Sequence, residues 1–226
     1  MKYIFITVMI ISLTVILFLA MRRLYMRFSV AFLHPVLTST IVISVVLVTF
    51  NISYEVYMVG GKWIEQLLGP AVVALAYPLY NQWEVMMKYR KSILLGVSAG
   101  LITAMGSVFL FTKLFKVEQD IIYSMIPKSI TSPIAIQLSE TIGGMPSMTE
   151  VFVMIAGFSG VIMGPFVMRY SGIESSLGKG LALGSAAHAL GVAKSTEYGE
   201  FSLSIASVSM TLSAIAGSII GFIFSS

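Results

Sequence analysis

The residues best suited to do chemistry lie in one short stretch, Ile126-Pro127-Lys128-Ser129-Ile130-Thr131-Ser132-Pro133, inside an otherwise apolar segment. Each of its two prolines removes a backbone donor and leaves a carbonyl without its helical partner, so the stretch must interrupt a helix. One ammonium and three hydroxyls gather at this break, on Lys128, Ser129, Thr131 and Ser132. Together with the free N–H groups of a helix start, they would suit a small carboxylate. The alternative is a lysine that extends to an interface and prolines that only kink a helix.

A histidine among small residues is the second candidate. His188 lies in Gly184-Ser185-Ala186-Ala187-His188-Ala189-Leu190-Gly191, which lets a neighbouring helix approach closely. Its imidazole can exchange a proton near neutral pH or bond to a substrate. The competing interpretation is a structural histidine that bonds to backbone carbonyls at a tight helix crossing. Glu140, ahead of the turn signal Gly143-Gly144-Met145-Pro146, is a further candidate proton site or else faces the lipid headgroups.

Metal, cofactor and protease chemistry are less well supported by the residue types. The chain has no cysteine and only two histidines, so we expect no metal site and no cofactor. Gly157-Phe158-Ser159-Gly160 matches the nucleophile motif of rhomboid intramembrane proteases, with His188 as its base. That family separates its serine and histidine by another full membrane crossing, whereas Ser159 and His188 are only 29 positions apart. We therefore expect no enzyme.

Composition places these residues in a membrane protein. The 226 residues are 57% hydrophobic and 11% charged, with a mean hydropathy of +0.94, whereas soluble proteins are about 25% charged. A soluble enzyme, a nucleic-acid binder and a disordered chain are excluded. The lysines and arginines lie mostly between apolar runs, where they act as orientation signals rather than as a polyanion-binding patch.

Charge-free runs predict an all-α polytopic membrane protein with about seven to eight membrane segments. Five runs are long enough to cross a bilayer: 3–21, 28–54, 92–112, 151–168 and 201–226. The first lacks a signal-peptide cleavage site and is followed by arginines, so we expect a membrane helix. Three further segments, 66–83, 121–144 and 180–193, are broken or re-entrant helices. Their predicted breaks are Pro70, Pro78, Pro127, Pro133, Gly143, Gly144, Gly184 and Gly191.

The interrupted segments also repeat. An offset of 115 positions aligns Leu68-Gly69-Pro70-Ala71-Val72-Val73-Ala74-Leu75 with Leu183-Gly184-Ser185-Ala186-Ala187-His188-Ala189-Leu190, with five identities in eight. This predicts two internal repeats, 1–113 and 116–226, in a single membrane domain over 1–226, with their relative orientation left open. Four glycine pairs with helical spacing are predicted packing contacts: Gly96/Gly100, Gly160/Gly164, Gly180/Gly184 and Gly217/Gly221.

Taken in order, four motifs resemble the LrgB/CidB family of bacterial membrane proteins: residues 68–80, 127–135, 140–144 and 180–191. The resemblance covers nearly the whole chain from about residue 31. Members were first described as holin-like or antiholin-like regulators of murein hydrolase export and autolysis. Relatives include the plastid glycolate/glycerate carrier and a bacillar LrgA-like and LrgB-like pair for pyruvate uptake. This chain departs from the family in reading Gly191-Val192-Ala193 where Gly-Thr-Ala is usual, so a hydroxyl is absent.

The resemblance implies a multi-pass protein of the bacterial cytoplasmic membrane that carries small monocarboxylates of the pyruvate, glycolate or glycerate class. Alternating access, proton linkage, a small LrgA-like membrane partner and homo-oligomers are part of that expectation. Lys128 would supply charge, with Ser129, Thr131 and Ser132 as donors and His188 as a proton or hydrogen-bond site. Asn81 and Gln82 would line the equivalent break in the first half. The alternative is a holin-like oligomer that regulates autolysis, although polar residues gather at breaks here rather than along one helix face.

Overall fold

The computed structural model describes residues 2–28, 33–74 and 76–223, and these ranges form α-helices, short 3-10 helices and no strand. The predicted all-α fold class is therefore confirmed. The helices are α1 (Lys2–Phe28), α2 (Pro35–Thr49), α3 (Tyr54–Glu65), α4 (Leu68–Ala74), α5 (Ala76–Asn81), α6 (Trp83–Lys88), α7 (Arg90–Phe115), α8 (Gln119–Met125), α9 (Ser132–Ile142), α10 (Pro146–Tyr170), α11 (Ser176–Ser195) and α12 (Glu200–Ile223).

Four of the helices are long and apolar enough to cross a membrane. They cover Tyr3–Phe28, Arg90–Thr112, Pro146–Tyr170 and Glu200–Gly221, and they match four of the five predicted runs. The remaining run contains α2, which has 15 residues and extends only about 22 Å, short of a hydrocarbon core of about 30 Å. Residues 29–32 of that run lie outside the described ranges. The count of seven to eight membrane segments stays a prediction.

The chain forms two compact units, Met1–Ala71 and Val72–Ser226. In the first unit, α1 packs against α2 and α3. Gly60 of α3 lies directly against Ile10 of α1, so the absence of a side chain permits the close approach. The two internal repeats, 1–113 and 116–226, stay a prediction.

The second unit is built around α12, which packs against α11, α7 and α9. Half of the most apolar 18-residue stretch of α12 is buried inside the protein. Apolar side chains from these helices and from the segment before α9 fill one core: Ile93, Val97, Leu101, Ile130, Ala135, Leu138, Ile142, Val153, Ile205 and Val208. The unit therefore holds the helix breaks of the second half against a packed apolar interior.

The four glycine pairs are packing contacts, as predicted. On α11, a Cβ at Gly184 would meet the backbone of Ala206 in α12, so these two helices approach closely only because glycine stands there. The other pairs meet side chains of neighbouring elements: Gly96 and Gly100 meet Leu181 and Ser185, Gly160 and Gly164 meet Ala187 and Leu183, and Gly217 and Gly221 meet Ile130 and Leu138.

The three segments predicted to be broken are interrupted in the structure. Residues 66–83 hold the short helices α4 and α5, and an interruption at Gln82 separates α5 from α6. Pro70 lies in α4 and Pro78 in α5. Residues 121–144 hold α8, a 3-10 helix and α9, while 180–193 lie in α11. The last two interruptions belong to the second unit and form the site described next.

Candidate functional site

The first break separates α8 from α9. The 3-10 helix Ile126–Ser129 follows α8 directly, and Ile130 and Thr131 are extended before α9 begins at Ser132. Pro127 lies in the first turn of the 3-10 helix, and Pro133 lies in the first turn of α9. A residue without a backbone donor is tolerated at these positions. Pro127 is fully buried. The break therefore lies in the protein interior rather than at its surface.

A glycine turn returns the chain from α9 to α10. Gly143 has a φ of 88°, a conformation that glycine adopts without strain. Beyond it, Thr149 Oγ1 donates to Ser139 Oγ over 2.6 Å, and Met145 N donates to Ser124 Oγ over 2.7 Å. These hydrogen bonds tie α8, α9 and α10 together.

The second break lies within α11, at His188. This residue has φ 46° and ψ −130°, a positive φ that non-glycine residues rarely adopt. The helix bends so sharply there that a Cβ at Gly191 would meet the carbonyl of Leu183. The break predicted at Gly184 and Gly191 therefore lies instead at His188, and both glycines are helical. Both are packing positions: Gly191 leaves room for the Leu183 carbonyl across the bend, and Gly184 leaves room for Ala206 of α12.

The two breaks meet at one hydrogen bond. His188 Nε2 lies 3.1 Å from the backbone carbonyl oxygen of Lys128. Since a carbonyl only accepts, Nε2 carries the proton and donates it. His188 is 4% exposed. One ring nitrogen thus has the partner expected of a structural histidine, and it satisfies a carbonyl at the first break.

A cavity of about 1230 Å³ lies beside this junction, between α7, α10, α11 and the first break. Most of its walls are small or apolar side chains. Polar side chains come from each wall: Thr103, Ser107, Lys128, Ser129, Ser159, Ser171 and Ser185. Of the described residues that line it, Lys128 alone carries a charge.

The polar groups of the cavity differ in whether they have a partner within the protein. Ser107 and Ser159 donate to carbonyls of their own helices over 2.8 and 2.9 Å, as serines in membrane helices commonly do. Across the described part of the chain, neither the Lys128 ammonium nor the Ser129 hydroxyl has a hydrogen-bond or ion-pair partner. Lys128 is half-buried and Ser129 is 6% exposed. The arrangement is therefore a cation and a free hydroxyl at the edge of an apolar cavity, which can bind an anion.

The other predicted site residues divide into two groups. Thr131 is buried at the N-cap of α9, and Ser132 is its half-buried first residue, so both adjoin Lys128 and Ser129 in the first break. Asn81 is exposed at the end of α5, and Gln82 is half-buried at the start of α6. Neither of these two lines the cavity.

Glu140 is exposed on α9 and is likewise absent from the cavity wall. The serine and histidine of the protease motif are not paired. Ser159 donates to Ala156, while His188 donates to Lys128.

One polar residue at the break was not anticipated. Glu150 lies in the second turn of α10, with its carboxylate near the Ser132 hydroxyl. Glu150 directly precedes the charge-free run that starts at Val151, so it was treated as a boundary of the span. The signal that could have identified it is an acidic residue that follows the helix-starting Pro146 by four positions and directly adjoins a long apolar run.

Comparisons with known proteins place the chain in a family. The model of the LrgB-like family matches residues 14–226. YxaC of Bacillus subtilis (strain 168) is 57% identical over 216 residues, which cover 96% of this chain and 94% of YxaC. YwbG of the same strain is 39% identical over 211 residues, covering 93% and 94%. The holin-like protein CidB of Staphylococcus aureus (strain N315) is 38% identical over 210 residues, covering 93% and 92%.

No solved structure matches the chain significantly. The family model covers most of the sequence, and the relatives match it nearly from end to end. Long apolar helices accompany these matches. The chain is therefore a membrane protein of the LrgB family.

Proposed function

We propose that this protein carries small monocarboxylates, of the pyruvate, glycolate or glycerate class, across a bacterial cytoplasmic membrane. The observation that supports this most directly is the position of Lys128, where two interrupted helices meet beside a cavity. Lys128 is a half-buried cation, and no described residue serves as its counter-ion. Interrupted helices that meet in the interior are typical of the substrate sites of secondary transporters.

Electrostatics favours an anionic ligand at this position. A charge inside a membrane protein is costly unless it is paired or hydrated, and within the described residues no carboxylate pairs with Lys128. A substrate carboxylate would supply the missing charge. The Ser129 hydroxyl and the start of α9 at Ser132 would add donors to the same anion.

The composition of the cavity favours a monocarboxylate over a dicarboxylate. Lys128 is the single charged group among the described lining residues, so a second carboxylate would enter without a partner. Small side chains such as Ala156, Gly160 and Ala186 line the remainder and would accommodate a short aliphatic chain. At about 1230 Å³, the cavity is much larger than a three-carbon acid, which leaves room for water and a path of entry.

Alternating access would use the contact between the two breaks. The His188–Lys128 hydrogen bond joins α11 to the first break, so a change in its geometry would alter the cavity on one side of the membrane. We extend the proposal to a small LrgA-like membrane partner and to self-association, because the family resemblance implies both. Asn81 and Gln82 remain candidates for the break between α5 and α6, and Glu140 and His188 remain candidate proton sites.

A holin-like oligomer is the second candidate function, because the relatives named CidB are described as holin-like. A pore requires a continuous polar surface once subunits assemble, whereas a carrier requires polar groups concentrated at a break. The unpaired cation beside the cavity fits the carrier better. Regulation of autolysis could follow indirectly from altered carboxylate flux, so the two functions can coexist.

Reconstitution into proteoliposomes distinguishes the two candidates. Uptake of radiolabelled pyruvate and glycolate would be measured with and without a small LrgA-like partner, with succinate as a dicarboxylate competitor and a trapped dye as a leak reporter. A carrier gives saturable uptake that unlabelled monocarboxylates inhibit, with the dye retained. Dye loss at the same protein density, or absence of saturable uptake under every combination, contradicts the carrier and favours the holin-like function.

A further inference from the structure

A second titratable group lies against the first break, on the side of α10. Glu150 is half-buried, and its carboxylate lies near the Ser132 hydroxyl at the start of α9. Its Oε2 is buried and, among the described residues, has no hydrogen-bond partner. One carboxylate oxygen is thus left without a donor in the protein interior, which is a costly state for a charged group and calls for a proton, a water molecule or a cation.

The charged and titratable groups on the elements packed against α10 do not satisfy this oxygen. They are Asp120 and Tyr123 on α8, Lys128 in the first break, Glu140 on α9, and Lys179, His188 and Lys194 on α11. Within the described ranges, none of them forms an ion pair with Glu150. Lys194 pairs instead with Glu197, and His188 donates to the Lys128 carbonyl. Glu150 is therefore open to protonation.

The position of Glu150 links it to the carboxylate site. Its neighbour Ser132 is the first residue of α9 and is four positions from Lys128 in the same break. A rearrangement of the break that moves the start of α9 therefore also moves the Ser132 hydroxyl relative to the Glu150 carboxylate. Proton binding and substrate binding would therefore respond to the same structural change.

The two proton sites expected from the sequence are less suitable. Glu140 is exposed on α9 and does not line the cavity. The Nε2 of His188 is engaged by the Lys128 carbonyl. Glu150 differs from both residues, because it has a buried carboxylate oxygen without a described partner at the first break.

We propose that Glu150 is the proton-coupling residue of the carrier, an inference that rests on the proposed function. In the coupled step, a proton from water adds to Oε2 and converts the carboxylate to the neutral acid while a monocarboxylate binds at Lys128. The proton and the substrate leave together on the other side, and Glu150 returns to its anionic form. One positive and one negative charge cross, so net transport is electroneutral.

The test compares proton-driven accumulation with substrate exchange in proteoliposomes. Wild type, Glu150→Gln, Glu150→Asp and the control Glu200→Gln, an exposed residue at the start of α12, would each be assayed for pyruvate accumulation driven by a pH gradient. The same vesicles would be assayed for exchange of internal and external pyruvate without a gradient, and for proton entry with a trapped pH dye. Exchange requires folding and the substrate site but no net proton movement, so it separates coupling from folding.

We expect Glu150→Gln to lose at least tenfold of gradient-driven accumulation and its proton signal while exchange stays within twofold of wild type. Glu150→Asp should recover accumulation in part, and Glu200→Gln should resemble wild type in all three assays. Accumulation by Glu150→Gln at the wild-type level would overturn this inference alone. Loss of exchange together with accumulation in both Glu150 variants would also overturn it, because the residue would then be structural. Absence of both activities in wild type would overturn it together with the carrier itself.

Discussion

The imidazole of His188 donates a hydrogen bond to the backbone carbonyl of Lys128, 60 positions earlier in the chain, over 3.1 Å. This bond joins the break within α11 to the break between α8 and α9. His188 has a positive φ, and its side chain holds the Lys128 backbone, so the bond stabilises both irregular segments. Backbone groups freed by one break thus find a partner at the other, as a membrane interior requires.

Removal of this bond should destabilise the protein. In His188→Ala, the Lys128 carbonyl is left without its donor, which costs about 1–3 kcal/mol for a buried group. His188→Asn is the matched control, because an asparagine amide can donate and asparagine tolerates a positive φ. Thermal unfolding in detergent would measure the effect. We expect a clearly lower Tm for the alanine variant and a smaller loss for asparagine; equal Tm values for wild type and His188→Ala would contradict the structural role.

Close packing between α11 and α12 gives a second prediction. Gly184→Ala introduces a Cβ against the Ala206 backbone and should cost about 1–3 kcal/mol from overpacking. Gly106→Ala is the control, since no atom lies within 4 Å of a Cβ at this position in α7. Alanine should be neutral or stabilising there by up to about 1 kcal/mol because it favours helix. The same unfolding assay tests both, and a stable Gly184→Ala variant would argue against the close α11–α12 contact.

Two serines of the cavity wall should respond differently to substitution. Ser129 has a free hydroxyl next to Lys128, whereas Ser159 already donates to Ala156 over 2.9 Å. Loss of one hydrogen bond to an anionic carboxylate, worth about 1.5–3 kcal/mol, corresponds to a rise in KM of about ten- to hundredfold for Ser129→Ala. Ser159→Ala should leave KM unchanged. A larger effect at Ser159 than at Ser129 in pyruvate uptake would place the substrate elsewhere in the cavity.

The cavity itself can be probed with introduced cysteines, because the chain has none of its own. Ala186 lines the cavity and is exposed, so Ala186→Cys should react with a hydrophilic thiol reagent. Saturating pyruvate should slow that reaction by occupying the same space. Ala206→Cys, at a position with no exposed surface, serves as the unreactive control. Labelling of Ala186→Cys that pyruvate does not slow at any concentration would contradict substrate binding in this cavity.

Much of the architecture could be predicted from charge-free runs and helix-breaking residues. Hydropathy identified the regions of α1, α7, α10 and α12 because burial of charge in a bilayer is penalised strongly at every position. The break at Pro127 and Pro133 followed from proline's missing donor. The extent of α2 was overestimated, because an apolar run does not report where a helix begins or ends.

The partners within the site could not be predicted in the same way. That His188 would meet Lys128 depends on how a bent α11 packs on α12, and no local pattern encodes a contact across 60 positions. Glu150 was overlooked since a single acidic residue near a helix start usually marks the end of a membrane span. Its pairing with Ser132 depends on how α9 and α10 pack together.

The charge at position 128 tests the central claim most directly. Saturable pyruvate uptake into proteoliposomes would be compared among wild type, Lys128→Ala and Lys128→Arg, with exposed Lys91→Ala as the control for loss of a positive charge. The anion-site account predicts at least tenfold lower kcat/KM in Lys128→Ala, partial activity in Lys128→Arg, and unchanged uptake in Lys91→Ala. Wild-type uptake by a folded Lys128→Ala protein would contradict it.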